Sequence, residues 1–110
     1  MAYKNTNVAA PAASVSTYAT LYSTGASTTA VISSIIVCNT SASNVLYRIG
    51  LDTTAGTPDI ALGEFIAYDA TVAANDTICL TIGLALGNTE FLRVSAGSTA
   101  INFTASISEM

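Results

Sequence analysis

Charge is what this sequence has least of. Three Lys/Arg and seven Asp/Glu in 110 residues make 9% charged, against about a quarter in an ordinary soluble domain. The cations, Lys4, Arg48 and Arg93, lie far apart along the chain, and the net charge is −4. Nucleic acid needs several phosphate-neutralising cations on one face, and an anionic membrane surface asks for the same, so neither partner is expected. Histidine and tryptophan are absent. Without His, and with no suitably placed Lys, none of the many hydroxyls has a base to activate it. No apolar run approaches the roughly 18 residues of a spanning helix; Ile35-Ile36-Val37-Cys38 is typical of the longest.

Cysteine is scarce too. Cys38 and Cys79 stand 41 residues apart, and they admit two readings: a disulfide pinning two sheets, or two free thiols acting as small apolar groups. The N-terminal stretch has no apolar core of the kind a secretory signal carries, so the chain is expected to be made in the cytosol or to be a mature fragment, and the free-thiol reading is favoured. Strict alternation also sets Cys38 on the face of Ile32 and Ile36 and Cys79 opposite Ile78, on opposed faces where no bond forms.

What fills the gap is hydroxyl. Twelve Ser and sixteen Thr make up a quarter of the chain. Apolar residues stand at 51%, so the chain has enough to fill one two-layer core and is not disordered. From residue 17 onward Val, Ile, Thr, Tyr and Phe dominate, the residues that suit a pleated, half-buried surface. Turn residues divide them into strands near 17–23, 28–39, 44–51, 64–69, 76–84, 90–96 and 99–107. No window shows helical periodicity. The expected fold is all-β, a single antiparallel sandwich of about seven strands, Ig-like or jelly-roll-like. Residues 1–16, with Asn, Ala, Ser and Pro11 and no periodicity, read as an extended N-terminal arm, and 17–110 as the sandwich domain.

Alternation assigns the faces. Val45, Tyr47, Ile49 and Leu51 point one way along their strand. Ile78, Leu80 and Ile82 share a face, as do Leu92, Val94 and Ala96, and Ile101, Phe103, Ala105 and Ile107. The strand at 28–39 is different: Ile32 and Ile36 fall on one face and Val31, Ile35 and Val37 on the other. A strand apolar on both faces is buried on both. In a two-layer domain the second face must meet another subunit, unless a bulge shifts the phase. Val31, Ile35 and Val37 are therefore candidate partner contacts, joined by Tyr3 and Lys4 in the arm, where an aromatic ring supplies contact area at low entropic cost.

Candidate chemistry is thin. Asp69 and Asp76 bracket one turn, with Glu64 on the strand before it. Acid–base work needs carboxyl groups held in a cleft with separated pKa values, whereas turn-capping Asp needs only the turn. The loop from Asp52 to Asp59 offers two acids and several Thr oxygens, too sparse for the six to eight oxygens of calcium. No catalytic residue, cofactor or metal is expected, and the chain is not read as an enzyme.

The outward faces are Thr, Ser, Ala and Asn. Covering such a face strips water from few ions, and lasting interfaces are depleted in charge. Self-association into a closed ring of two or three copies is expected.

Thr20-Leu21-Tyr22-Ser23, the strand Ala30 to Asn39, Tyr47-Arg48-Ile49, Ile66-Ala67-Tyr68-Asp69 and Ala74-Asn75-Asp76-Thr77 together resemble small β-sandwich virion proteins of tailed bacteriophages, cyanophages included. The resemblance covers residues 20–110 and is most distinctive over 66–77. It implies a capsid decoration (cement) subunit that contacts larger virion proteins such as the major capsid protein, made in the bacterial cytoplasm and carried on the virion. A tail, neck or fibre collar subunit is the alternative. A receptor- or glycan-binding module is a further one, weakened because the loops at 52–59 and 85–90 hold no aromatic residue.

Overall fold

The computed structural model describes residues 2–53, 60 and 64–110. They form β1 (Ala2–Ala9), β2 (Ser14–Ser23), β3 (Ala30–Asn39), β4 (Val45–Asp52), β5 (Phe65–Val72), β6 (Thr77–Leu86), β7 (Phe91–Ala96) and β8 (Ile101–Glu109). All ladders are antiparallel, and no α-helix occurs among the described residues.

Two four-stranded sheets face each other. One runs β1-β8-β3-β6 and the other β2-β7-β4-β5. Successive strands alternate between the sheets, except β4 and β5, which pair within one, in the order of a jelly roll, with β1 and β8 adjacent in one sheet and β2 and β7 adjacent in the other. The core lies between them. Ile32, Ile35, Val37, Ile49, Leu92, Val94, Ile101 and Phe103 are wholly buried. Burial of each large side chain stabilises the fold by about 1.5–3 kcal/mol. Phe103 meets Tyr47 edge-on across the sheets, with ring centroids 6.4 Å apart.

Seven strands fall where the sequence places them, and the inward sets on β4, β7 and β8 are those read from alternation. Residues 2–9 depart from the expectation of a free arm. They are β1, paired residue for residue with β8 from Ala2↔Glu109 to Ala9↔Asn102. The only large apolar side chain that β1 turns inward is Val8, so β1 is held chiefly by backbone hydrogen bonds that leave no periodic signal. Residues 14–16 begin β2.

β3 departs in its phase. Its register shifts between Ile32 and Ser34 against both neighbours. Ser33 is an extra residue relative to β8, and Gly83, in the left-handed region at φ +56°, occupies the matching irregularity on β6. A bulge flips every side chain beyond it to the other face. Ile32, Ile35 and Val37 therefore all enter the core, while Val31, Ile36 and Cys38 turn outward.

Two hubs tie the turns together at opposite ends. At one, buried Asn39 donates through Nδ2 to the carbonyls of Ser43, Val72 and Ala73 at 2.8, 3.2 and 3.1 Å. Its Oδ1 accepts from the Ser41 amide and hydroxyl. At the other, the Thr24 hydroxyl donates to Gly87 O and accepts from the Glu90 amide. Asn39 also begins an Asn-x-Ser glycosylation match, and its amide is spent inside the fold.

Candidate interaction surface

The outer faces of the two sheets differ in kind. On the β1-β8-β3-β6 sheet the ladders align outward residues in four rows. These are Tyr3–Ser108–Val31–Ala85, Asn5–Ser106–Ser34–Thr81, Asn7–Thr104–Ile36–Cys79 and Ala9–Asn102–Cys38–Thr77. Not one is Asp, Glu, Lys or Arg. With strands about 4.8 Å apart and about 3.4 Å per residue, the lattice has a flat footprint of about 500 Å². That is somewhat less than the roughly 800 Å² per side of a standard interface. Tyr3 is 80% exposed and Ile36 37%. The Ser33 hydroxyl donates to Ser106 O at 3.0 Å, so even the bulge offers no free charge or strong acceptor.

The opposite sheet holds charge, and closes it. Arg93 lies on β7 facing away from the core, yet its side chain is only 3% exposed and that of Asp52 only 7%. Nε and Nη2 both lie 3.1 Å from Asp52 Oδ2, Nη1 donates to the Thr20 hydroxyl, and the guanidinium stacks 4.3 Å from the Phe91 ring centroid. Cover comes from two places. β2 loses register with β7 between Ser14 and Ala19, and its bulged segment accepts a hydrogen bond from Ser95 at Val15 O. Ile60, itself buried, packs on Gly50, where a Cβ would stand 2.6 Å from Ile60 Cγ2 and 2.9 Å from Glu64 O.

Arg48 is satisfied on every donor. Nε and Nη2 bind the two Asp69 oxygens at 2.7 and 3.3 Å. Nη1 donates to Tyr18 Oη at 3.1 Å and Val15 O at 3.5 Å, and Nη2 to Tyr68 Oη at 3.3 Å. The β4–β5 register skips between Tyr47 and Ile49, so two residues, Tyr68 and Asp69, oppose Arg48. Asp69 takes φ +51° there, a strained position for a residue other than Gly, which aims its carboxylate at the guanidinium. These hydrogen bonds to Asp69 and Tyr18 raise the Arg48 pKa above its ordinary value.

The third cation bridges the sheets at one edge. Lys4 Nζ lies 3.3 Å from Glu109 Oε2 and 5.9 Å from the Tyr22 ring centroid, and Tyr22 Oη donates to the same Glu109 oxygen. Burial and the Glu109 carboxylate push the Tyr22 pKa up, while the Tyr22 hydrogen bond and Lys4 hold Glu109 below its ordinary value.

Each candidate contact can now be placed. Tyr3 and Val31 lie on the uncharged lattice. Ile35 and Val37 do not: the Ser33 bulge turns both into the core at 0% exposure, and Ile36 and Cys38 take their places outside. Lys4 sits on the inward register of β1, opposite Ile107, and is engaged by Glu109. The same phase change corrects the thiols. Cys38 and Cys79 share the outer face, with Cys38 opposite Thr77 and Cys79 opposite Ile36. They are free because they are diagonal neighbours, too far apart for the narrow geometry of a disulfide.

The carboxylates fall apart in space and purpose. Asp69 serves Arg48, Asp52 serves Arg93, and Asp76 accepts from the Thr77 amide at 2.8 Å as a turn residue does. Asp59 and most of the 52–59 loop lie outside the described residues. Among the described residues no three His, Cys, Asp or Glu gather as metal ligands. An open groove of about 400 Å³, lined by Ala13, Ser14, Val15, Asn44, Leu46 and Gly97 among others, holds no ionised side chain either.

Two sheets, eight antiparallel strands and this strand order define the chain as a jelly-roll β-sandwich. Its fold is similar to part of a chain in the T13 particle of infectious bursal disease virus, with a TM-score of 0.56 and 10% identity over 98% of this chain. A chain from the Gx strain of that virus matches at 12% identity and a TM-score of 0.49 over 96% of this chain. This chain spans 30% and 33% of those viral chains. No family model and no curated protein matches the sequence. At such identity the likeness is one of fold.

Proposed function

We propose that this chain is a non-enzymatic structural subunit of a virus particle that acts by laying its uncharged sheet face on neighbouring subunits. The observation that carries the reading is the absence of any ionised side chain across the four-row lattice of β1, β8, β3 and β6. In a chain whose three cations are each paired elsewhere, that face is the one a partner covers at least cost in ion desolvation. The fold shared with a viral particle chain supports the same reading, as does the resemblance to tailed-phage virion proteins.

The finer reading is a capsid decoration subunit on a bacteriophage shell, assembled in the host cytoplasm. A tail, neck or fibre collar subunit is its rival. Copy number in purified particles separates them: a decoration subunit approaches the number of shell subunits, and a collar supplies one ring. The face itself is tested by Ile36→Lys. Ile36 is central and partly exposed, so the free protein accommodates a lysine stem with its ammonium in water. Under a partner the unpaired charge costs about 3 kcal/mol or more, a loss of at least about a hundredfold in affinity. Co-sedimentation of the folded variant with particles as efficiently as the parent would refute the assignment.

A further inference from the structure

The sandwich has four edge strands, and three are blunted. β1 carries Lys4, a common guard against strand addition. β2 is out of register with its neighbour at two places, and β5 is kinked at Asp69 with two shifts of its own. β6 is the exception. From Thr77 to Ile82 it runs without charge, Pro or Gly, in regular register with β3 from Thr77 to Thr81.

The direction of its free backbone groups follows from one hydrogen bond. Asn39 N donates to Asp76 O at 2.9 Å, so the Asp76 carbonyl faces β3. Alternation turns the polar groups of Ile78 and Leu80 the same way, and those of Thr77, Cys79 and Thr81 towards the open edge. Among the described residues outside β3, no backbone group bonds to this stretch. Along the inner side, Ile78, Leu80 and Ile82 pack against the core but stay only partly buried, because no further described strand flanks them in the sheet.

We infer that β6 pairs antiparallel with β6 of a second copy of this chain about a two-fold axis at Cys79. That register sets Thr77 opposite Thr81 of the partner subunit, Cys79 opposite Cys79 of the partner subunit, and Ile78 opposite Leu80 of the partner subunit. Cys79 then exchanges both N–H and C=O with Cys79 of the partner subunit, and the Thr81 N–H donates to the carbonyl of Thr77 of the partner subunit, while the Thr77 N–H stays on Asp76 Oδ1. Thr faces Thr, and the half-covered aliphatic rows complete one another. Charge does not oppose it: the two Asp76 side chains end about 20 Å apart, beyond the roughly 8 Å screening length at physiological salt. The product is one continuous sheet, β1-β8-β3-β6 followed by its two-fold copy, which doubles the uncharged face. This deepens the structural-subunit reading and rests on it only for the statement that the face is there to be covered.

Sedimentation equilibrium of the full chain tests it, with a mass of twice 11.2 kDa expected. Thr81→Pro removes an outward N–H while sparing the β3 ladder, and is expected to run as a folded monomer by circular dichroism. Thr81→Lys, which adds charge at the seam without touching the backbone, is the second variant, expected to weaken the dimer at least tenfold. A short thiol-to-thiol crosslinker should join two chains through Cys79, persist in Cys38→Ser and vanish in Cys79→Ser. A monomeric parent, a dimer that survives in both folded Thr81 variants, or a crosslink that needs Cys38 overturns the proposal. Ile36→Lys should stay dimeric while losing particle binding, so failure of the edge and failure of the face are read separately.

Discussion

Replacing Asp52 with Asn probes whether the second sheet is closed as tightly as its contacts indicate. The change keeps shape and one acceptor oxygen but removes the charge from Arg93, whose side chain is 3% exposed. Two guanidinium nitrogens lie 3.1 Å from Asp52 Oδ2, and what remains is the Thr20 hydroxyl and the Phe91 ring. Leaving a buried charge uncompensated costs about 3–5 kcal/mol. In a domain whose total stability is about 5–15 kcal/mol, the lower figure corresponds to a fall of roughly 10–20 °C in Tm. The matched control is Asp69→Asn. Arg48 and Asp69 are joined by two hydrogen bonds, but their side chains are 13% and 34% exposed, so water takes up part of the loss and about 1 kcal/mol is expected. Asn also tolerates the left-handed backbone at that position. Thermal and urea denaturation of the three proteins give the comparison. If Asp69→Asn destabilises as much as Asp52→Asn, burial does not govern the cost of these pairs and the account of a sealed second sheet is wrong.

Gly50→Ala should destabilise by about 1–3 kcal/mol, because the new Cβ would meet the Glu64 carbonyl and Ile60 inside contact distance; an unchanged urea midpoint would contradict this packing. Asn39→Ala strips the partner from three carbonyls and should cost about 2–3 kcal/mol, read by the same denaturation, with the β5–β6 turn the first to gain amide exchange. Stability should fall at both ends of the pH scale. Glu109 sits below its ordinary 4.5, so its contribution is complete above that pH and is lost as pH drops through the lower folded value. Tyr22 sits above its ordinary 10.0, so its contribution is complete below pH 10 and is lost as pH rises beyond. Tyr22→Phe should flatten the alkaline limb, and a limb left as steep as in the parent would remove Tyr22 from the explanation.

The sequence carries the strands of this fold wherever side chains alternate over a core. β4, β7 and β8 place Tyr47, Val94 and Phe103 as alternation requires, because each is central in its sheet and the extra residues of its ladders fall on its neighbours, keeping its own apolar residues on the core side. Alternation fails where the backbone itself changes phase. Ser33 and Gly83 shift the ladder by one residue, and nothing about a serine between Ile32 and Ser34 announces that. Ile35 and Val37 therefore exchanged faces with Ile36 and Cys38 relative to the sequence reading. The bulge accounts for the pattern of a strand apolar on both sides, and leaves Val31 and Ile36 as its outward apolar members. β1 is silent for another reason: Tyr3, Asn5 and Asn7 against Lys4, Thr6 and Val8 is a weak alternation, and its partner strand lies at the far end of the chain. The pairing of all three cations was likewise out of reach, since Arg48 and Asp69 meet only through the bulge of β5, and Arg93 and Asp52 only once β7 lies beside β4.

Because β1 and β8 run side by side, Ala2 stands opposite Glu109, and Met110 exchanges backbone hydrogen bonds with Thr29 at the same extremity. Cargo tethered to either tail would thus emerge from a single corner, beside the turn that leads into β3 and clear of the centre of the bare sheet. A short splice between the two tails, with new ends opened elsewhere, would preserve every ladder. The molecule is in that sense already wired as a display platform and as a candidate for circular permutation.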